Sequence, residues 1–466
     1  MPEGHKEAVH DRAGMHEGER LGYAWLVVGI LMVLYIFAYV DRTILTLLVE
    51  PIKSTMGLSD TQVSLLHGFA FALFYGALGL PLGRLADHKN RVGIIAIGLA
   101  FWSIATAVCG LTKNFAQLFM ARIGVGAGEA TLNPAAYSII TDYFPKHYLS
   151  RALSTYVMGT YLGMGLAYII GSYVVQAALS LPDLDLPVFG HIYSWQLAFF
   201  YVGLPGLLLM VFFLVVVREP ARKDRLKLER TDDDEGDGGE TSVAAFLRFL
   251  AVNRKTFIAH SLGFGALALL VNGVALWTPT FFARTYGWEI VDAGTAYGVI
   301  LLVCGSTGIY TGGWLADRFD GERKSGGAFK AAMLFTCFSI LPAALAPLMP
   351  EPWMAMSLMV PMVFCSSAPW GLAVSSIQQI TPNEFRGQAS ALYLFVVNLI
   401  GIGLGPLLIA LMTDQYFQDP ADLRYSMAIV SAVAAIAGGS ALAWGLSGFK
   451  ESVARMDQLT AGGSKR

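Results

Sequence analysis

Four side chains could do chemistry where chemistry is costly. Asp41, Arg42, Arg122 and Glu129 stand inside long apolar runs, and an ionisable group at membrane depth is a functional-site candidate by default. Two acids and two bases suit a site that takes up and releases protons. Arg42 or Arg122 would serve as substrate or charge partner, and Asp41 and Glu129 as proton carriers. With both acids ionised the quartet is neutral, and adding a proton to either leaves an uncompensated positive charge in a poorly solvated place. At ~1.5 Å rise per residue, Asp41 lies about 15 Å from the end of its run near Pro51, between the depths of Arg122 (roughly 10 Å) and Glu129 (roughly 21 Å). Arg122 and Glu129 are two helical turns apart on one face. The alternative is a purely structural quartet that pins one helix to another.

The elements that position these groups follow from composition. Of the 466 residues, 55% are hydrophobic and 14% charged, against about 25% charged in soluble proteins, which leaves too little charge to coat a soluble surface of this size. The expected fold is an all-α membrane protein with twelve transmembrane helices, the first over 23–49 and the fourth over 115–140. The formal net charge of -2 gives no sign of a nucleic-acid partner. Cys109, Cys304, Cys337 and Cys365 have no metal-ligand or CxxC spacing and are expected to be packing residues, and no metal site is expected. The first apolar run is too long for a signal peptide and is expected to be retained.

The organisation divides into a cytoplasmic leader over 1–22, a six-helix half over 23–217, a linker over 218–255, a second six-helix half over 256–446 and a tail over 447–466. The acidic, glycine-rich middle of the linker, Thr231 to Glu240, is expected to be disordered, and the apolar residues at helical spacing in Ser242 to Lys255 suggest a membrane-surface helix. Of the 32 Lys and Arg, 26 fall in segments on the N-terminal side of the membrane and four on the other, so both termini are expected inside. The expected location is the plasma (bacterial inner) membrane.

Internal repetition supports two parallel repeats. Gly83-Arg84-Leu85-Ala86-Asp87 follows span two and Gly313-Trp314-Leu315-Ala316-Asp317-Arg318 follows span eight, an offset of 230 residues. Phe144-Pro145-Lys146 and Thr381-Pro382-Asn383 likewise follow spans four and ten.

These residues resemble the major facilitator superfamily, and within it the Spinster group. The resemblance is carried by Tyr39-Val40-Asp41-Arg42, by Asp87-His88-Lys89-Asn90-Arg91 and by Arg122 through Ala130 (RIGVGAGEA). Asn90 departs from the general superfamily motif but matches Spinster relatives, whereas His88 stands where a cation is usual. The resemblance implies that spans one and four line a central cavity where the four charges meet. It also implies gating by Gly83, Asp87, Arg91, Gly313, Asp317 and Arg318, each aspartate latching the facing half, where the simpler alternative is a helix cap. The glycines of spans five and eleven suit close helix contact or a hinge.

The implied substrate is an amphipathic, anionic lipid such as a lysophospholipid or sphingosine-phosphate-like molecule. Its tail would lie against an uncharged, aromatic-rich second half, with Asn272, Trp277, Ser366, Ser367 and Trp370 as possible cavity lining. The reading is a proton-coupled secondary carrier working by alternating access, not an enzyme, with protons as coupling ion and no cofactor. Its partners are the substrate and membrane lipids, and it is expected to be a monomer. Weighed against it are polyspecific efflux of hydrophobic drugs or cations, a membrane-embedded lipid-modifying enzyme (His67 and His260 have no evident catalytic partner), and a non-transporting receptor.

Overall fold

The computed structural model describes residues 4–187, 190–222, 243–320, 326–382 and 385–463, so the acidic stretch 231–240 lies outside the described residues. The described chain is almost wholly helical. The long elements are α1 (Gly4–Leu47), α2 (60–88), α3 (Arg91–Cys109), α4 (115–143), α5 (Lys146–Leu179) and α6 (Leu197–Val216), then α7 (Arg254–Tyr286), α8 (290–320), α9 (Gly327–Leu345), α10 (352–380), α11 (386–417) and α12 (Leu423–Gly463). Several run past the expected spans, two of them by a long way. α1 begins within the expected leader, and α12 continues well beyond 446. The segment expected to lie on the membrane surface forms a helix over Val243–Val252, with Phe246 and Phe249 packed on Phe385 and with Leu247 and Val252 exposed.

Among the described residues eleven helices are long and apolar enough to cross a membrane, and α4 is the twelfth element. Its break follows from the sequence. Pro134 has no backbone N–H, and its ring would clash with the carbonyl of Ala130, so one helix ends at Glu129 and the next starts at Leu132. Glu129 therefore stands at a helix end. α10 breaks in the same way before Pro369. α2 and α8 share another irregularity, a π turn at Leu65–Phe69 and at Leu301–Gly305. The register of the two halves also shows in the turns after α7 and after the short helix Val49–Met56 that follows α1. Both end on a glycine in the left-handed region, Gly57 (φ 65°) and Gly287 (φ 68°), where a side chain would be strained.

Within the first half α1 packs along α5, and α3 along α4 and α6; in the second, α7 and α9 pack along α12. Between halves, α5 meets α8, α2 meets α11 and α1 meets α7. Small residues permit the α5–α8 approach, since a Cβ on Gly165 would sit 2.7 Å from the Gly298 carbonyl. The apolar core is continuous across the halves at the end bearing Arg284, called here the far end, where Trp277, Phe281 and Tyr297 join the first half's core. At the opposite, linker end the second half keeps a separate core around Phe257, Phe264, Phe329 and Phe449.

A two-stranded ribbon, β1 (Leu184–Leu186) and β2 (Gly190–Ile192), connects α5 to α6. There the Asp185 carboxylate, 2.9 Å from His191 Nδ1, holds the exposed imidazole above its ordinary pKa.

Candidate charge cluster and the two ends of the bundle

Asp41 and Arg42 are neighbours on α1 and so diverge by about 100° around the helix. Asp41 turns into the first half and is fully buried, with Thr106 Oγ1 of α3 at 2.6 and 2.7 Å from its two oxygens. Arg42 turns toward α2 and α4. Its Nε and Nη2 donate to Glu129 Oε2 at 2.6 and 2.5 Å, and its guanidinium lies 4.4 to 5.2 Å from the ring centroids of Phe71, Tyr75 and Tyr39. The Arg42 side chain keeps 17% of its surface exposed while Glu129 keeps none, so the pair is open on the arginine side.

Arg122 is the unusual member. It is 1% exposed, and none of its three guanidinium nitrogens has a hydrogen-bond partner among the described residues. The Phe71 ring, 5.9 Å away, is its cation–π neighbour. Glu129 Oε1 is also unpartnered. The quartet thus contains one ion pair, one acid held by a hydroxyl, and one cation without a direct acceptor. A buried charge left so costs on the order of several kcal/mol, which leaves Arg122 ready to meet an acid or an anion that comes within reach.

Around Arg42 stands a tyrosine-rich wall that the charge pattern alone did not reveal. Asn133 donates to the Tyr75 hydroxyl at 2.8 Å and accepts from Tyr156 at 2.6 Å, while Tyr35 stacks on Tyr156 and Tyr137 meets it edge-on. Asn133 lies on α4 just past the break. His67 sits in the π turn of α2, with Nδ1 3.4 Å from Thr46 Oγ1.

Among the described residues of the second half no acidic or basic side chain pairs with this wall. Ser366 borders two small hollows, one with Tyr161, Val274 and Tyr297, the other with Phe264, Trp370 and Tyr393. Asn272 and Ser367 spend their donors on their own helices, at Ala268 O and Phe364 O. Trp277 departs from its expected place on the cavity wall. A buried indole N–H needs an acceptor, and this one finds Pro406 O at 3.1 Å in the seam between α7 and α11.

At the linker end Gly83 lies on α2, and the Asp87 side chain is outside the described residues. Arg91, expected to take part in the gate, is buried within its own half. It donates to Glu219 Oε1 at 2.7 Å and to Ser138, and it pairs with Asp142, tying the start of α3 to α4 and to the segment after α6. The reason is local, since Glu219 also accepts from Val92 N and so caps the same helix end. Gly313 lies on α8, Asp317 is exposed, and Arg318 lies over the Trp314 ring of its own helix.

The far end carries a cluster of charged contacts between halves. Arg284 of α7 donates to Asp60 Oδ2 and Oδ1 at 2.7 and 2.8 Å and to Glu50 at 2.7 Å. Lys53 pairs with the same Asp60, which is fully buried. In the reverse direction Asp414 of α11 accepts from Thr61 N and Oγ1 at 2.7 and 2.6 Å, beside the N-terminus of α2. Sequence reasoning missed this double clasp. A signal was available, because Gly57 and Gly287 share the 230-residue offset of Gly83 and Gly313 and mark the turns that bring Asp60 and Arg284 together.

Compared with known families, the chain matches the Major Facilitator Superfamily over residues 31–406. The chain belongs to the Major Facilitator Superfamily. This facilitator is 26% identical over 427 residues to an MFS-type efflux pump of Mycolicibacterium smegmatis, covering 91% of this chain and 92% of the relative. It is 28% identical to protein spinster homolog 1 of Xenopus tropicalis, covering 96% and 86% of the two chains. Among solved structures, a bacterial homolog of the human lysosomal transporter Spinster, in an inward-facing and unoccupied conformation, superimposes with a TM-score of 0.74 at 26% identity, covering 92% of this chain and 97% of that one. This facilitator is therefore an integral membrane transporter similar to Spinster proteins, and the superfamily's members are transporters rather than enzymes.

Proposed function

We propose that this transporter carries an amphipathic lipid with a small anionic head, in exchange or together with protons, by alternating access. The observation that carries the reading is the division of the bundle, with an open-sided Arg42–Glu129 pair and an unpartnered Arg122 in the first half, while the helices of the second half carry charges only near their ends. A head group would meet the guanidinium, which matches phosphate and carboxylate geometry, and a tail would lie on the second half. Asp41 and Glu129 carry the protons, no other cofactor takes part, and a monomer suffices. In this reading the linker end is cytoplasmic. The clasp then closes the outer side, and the exposed Asp317 belongs to an inner latch that is undone.

The test is uptake of labelled lysophosphatidylethanolamine and of ethidium by vesicles holding the purified protein under an imposed pH gradient. Gradient-dependent movement of the lysolipid, lost in Arg42→Ala, is expected. Movement of ethidium alone, with no binding or competition by lysolipids, would overturn the substrate class and leave efflux of hydrophobic cations as the better reading. That second reading is favoured by one feature, the aromatic wall of Tyr35, Tyr39, Tyr75 and Tyr156, which suits cations as well as apolar surface.

For orientation, reporters fused at positions 235 and 460 should be reachable only from the cytoplasm, by the cation asymmetry. Labelling of either from outside intact cells would reverse the assignment of the two ends.

A further inference from the structure

Asp41 has one hydrogen-bonding neighbour among the described residues, the Thr106 hydroxyl, and both side chains are fully buried. Several threonines inside helices of this bundle donate to the carbonyl one turn back, as Thr278 and Thr336 do to Val274 and Ala332. Thr106 is turned instead toward α1. A hydroxyl has one donor and two acceptor positions. Beside an ionised Asp41 it donates its proton to the carboxylate. Beside a protonated Asp41 it accepts from the carboxyl O–H. Either way the buried carboxyl keeps a partner, where leaving it without one would cost the full desolvation of the group.

We propose that Thr106 is a positioning residue for proton coupling: it stays hydrogen-bonded to Asp41 in both protonation states and so sets the pH range over which that buried carboxyl exchanges its proton. The inference rests on the reading of Asp41 as a proton carrier. The charged and titratable groups around Asp41 are Glu129 and Arg122 from α4, Arg42 from its own helix and Cys109 from α3, with His67 of α2 beside the two arginines. None of these donates a hydrogen bond to Asp41, so the direct donor is Thr106 alone among the described residues.

The experiment follows the infrared carboxyl C=O band of the full-length protein in lipid as pH is changed, the Asp41 band being identified by its loss in Asp41→Asn. Thr106→Val, similar in shape but without the hydroxyl, is expected to move the midpoint of that band upward by about one pH unit or more, because a hydrogen bond to the ionised form is lost. Thr106→Ser should keep the wild-type midpoint, and gradient-driven lysolipid flux in Thr106→Val should shift its pH profile in the same direction. Thr106→Ala serves if the valine variant does not fold, and His191→Gln controls for titration of the exposed ribbon. An unchanged midpoint and band position in Thr106→Val or Thr106→Ala, with the Asp41 band present, overturns this inference and leaves the coupling reading standing. If Asp41→Asn removes no titrating band, both fall.

Discussion

Glu129→Gln is expected to abolish gradient-driven accumulation while leaving a folded protein, and to make its conformation insensitive to pH. Gln keeps the volume and one acceptor for Arg42 but removes the charge, which imitates the protonated acid. In the native pair Arg42 makes two charge-assisted bonds to a carboxylate that has no exposed surface. Truncating one partner of a fully buried ion pair costs ~3–5 kcal/mol, and the partial exposure of Arg42 lowers that figure by letting solvent screen it. About 5.5 kcal/mol of differential preference moves a two-state equilibrium from 1:99 to 99:1, so even part of the ion-pair energy redistributes the two ends of the cycle. Asp41→Asn should behave alike in flux, but through the α1–α3 contact rather than through Arg42. The measurement is accumulation under an imposed gradient together with the pH dependence of labelling of single cysteines at each mouth. Wild-type accumulation and pH dependence in both variants would return the cluster to a purely structural role.

The second large effect concerns the clasp. Arg284→Ala is expected to shift the transporter toward states open at the far end, because it removes three bonds from Arg284 to Asp60 and Glu50 and leaves the buried Asp60 with Lys53 alone. Bonds to charged groups contribute roughly 1.5–3 kcal/mol each when made in a protein, and part of this is lost to the solvated rim. A loss of about 3 kcal/mol corresponds to somewhat over a hundredfold change in the ratio of closed to open states. A cysteine at position 61 or 414 should then label much faster from the far side, and Asp60→Asn should raise labelling in the same sense. The exchange Arg284→Asp with Asp60→Arg should restore part of the closure. Far-side labelling unaffected by Arg284→Ala would mean that the apolar core shared by the two halves, not the clasp, keeps this end shut.

Charge composition, apolar run length and the 230-residue repeat were sufficient for the membrane class, for twelve spans and for two like halves, because a bilayer imposes length and polarity rules that can be read one segment at a time. The same rule singled out Asp41, Arg42, Arg122 and Glu129, since a charge inside an apolar run is conspicuous in one dimension. What each of them touches was settled only by packing. Arg42 rather than Arg122 reaches Glu129, because Pro134 breaks α4 just beyond that acid and α1 presents the arginine to the break. Asp41, one residue earlier, is rotated into α3 and meets Thr106, an ordinary threonine in an apolar stretch that carries no signal of its own. Arg91, which motif and charge together assigned to a gate, is claimed by Asp142 and Glu219, residues 51 and 128 positions away. The clasp was invisible for the complementary reason. Glu50, Lys53, Asp60, Arg284 and Asp414 stand at span ends, where charges are expected and unremarked, and only the meeting of the two halves draws them into one network around the buried Asp60.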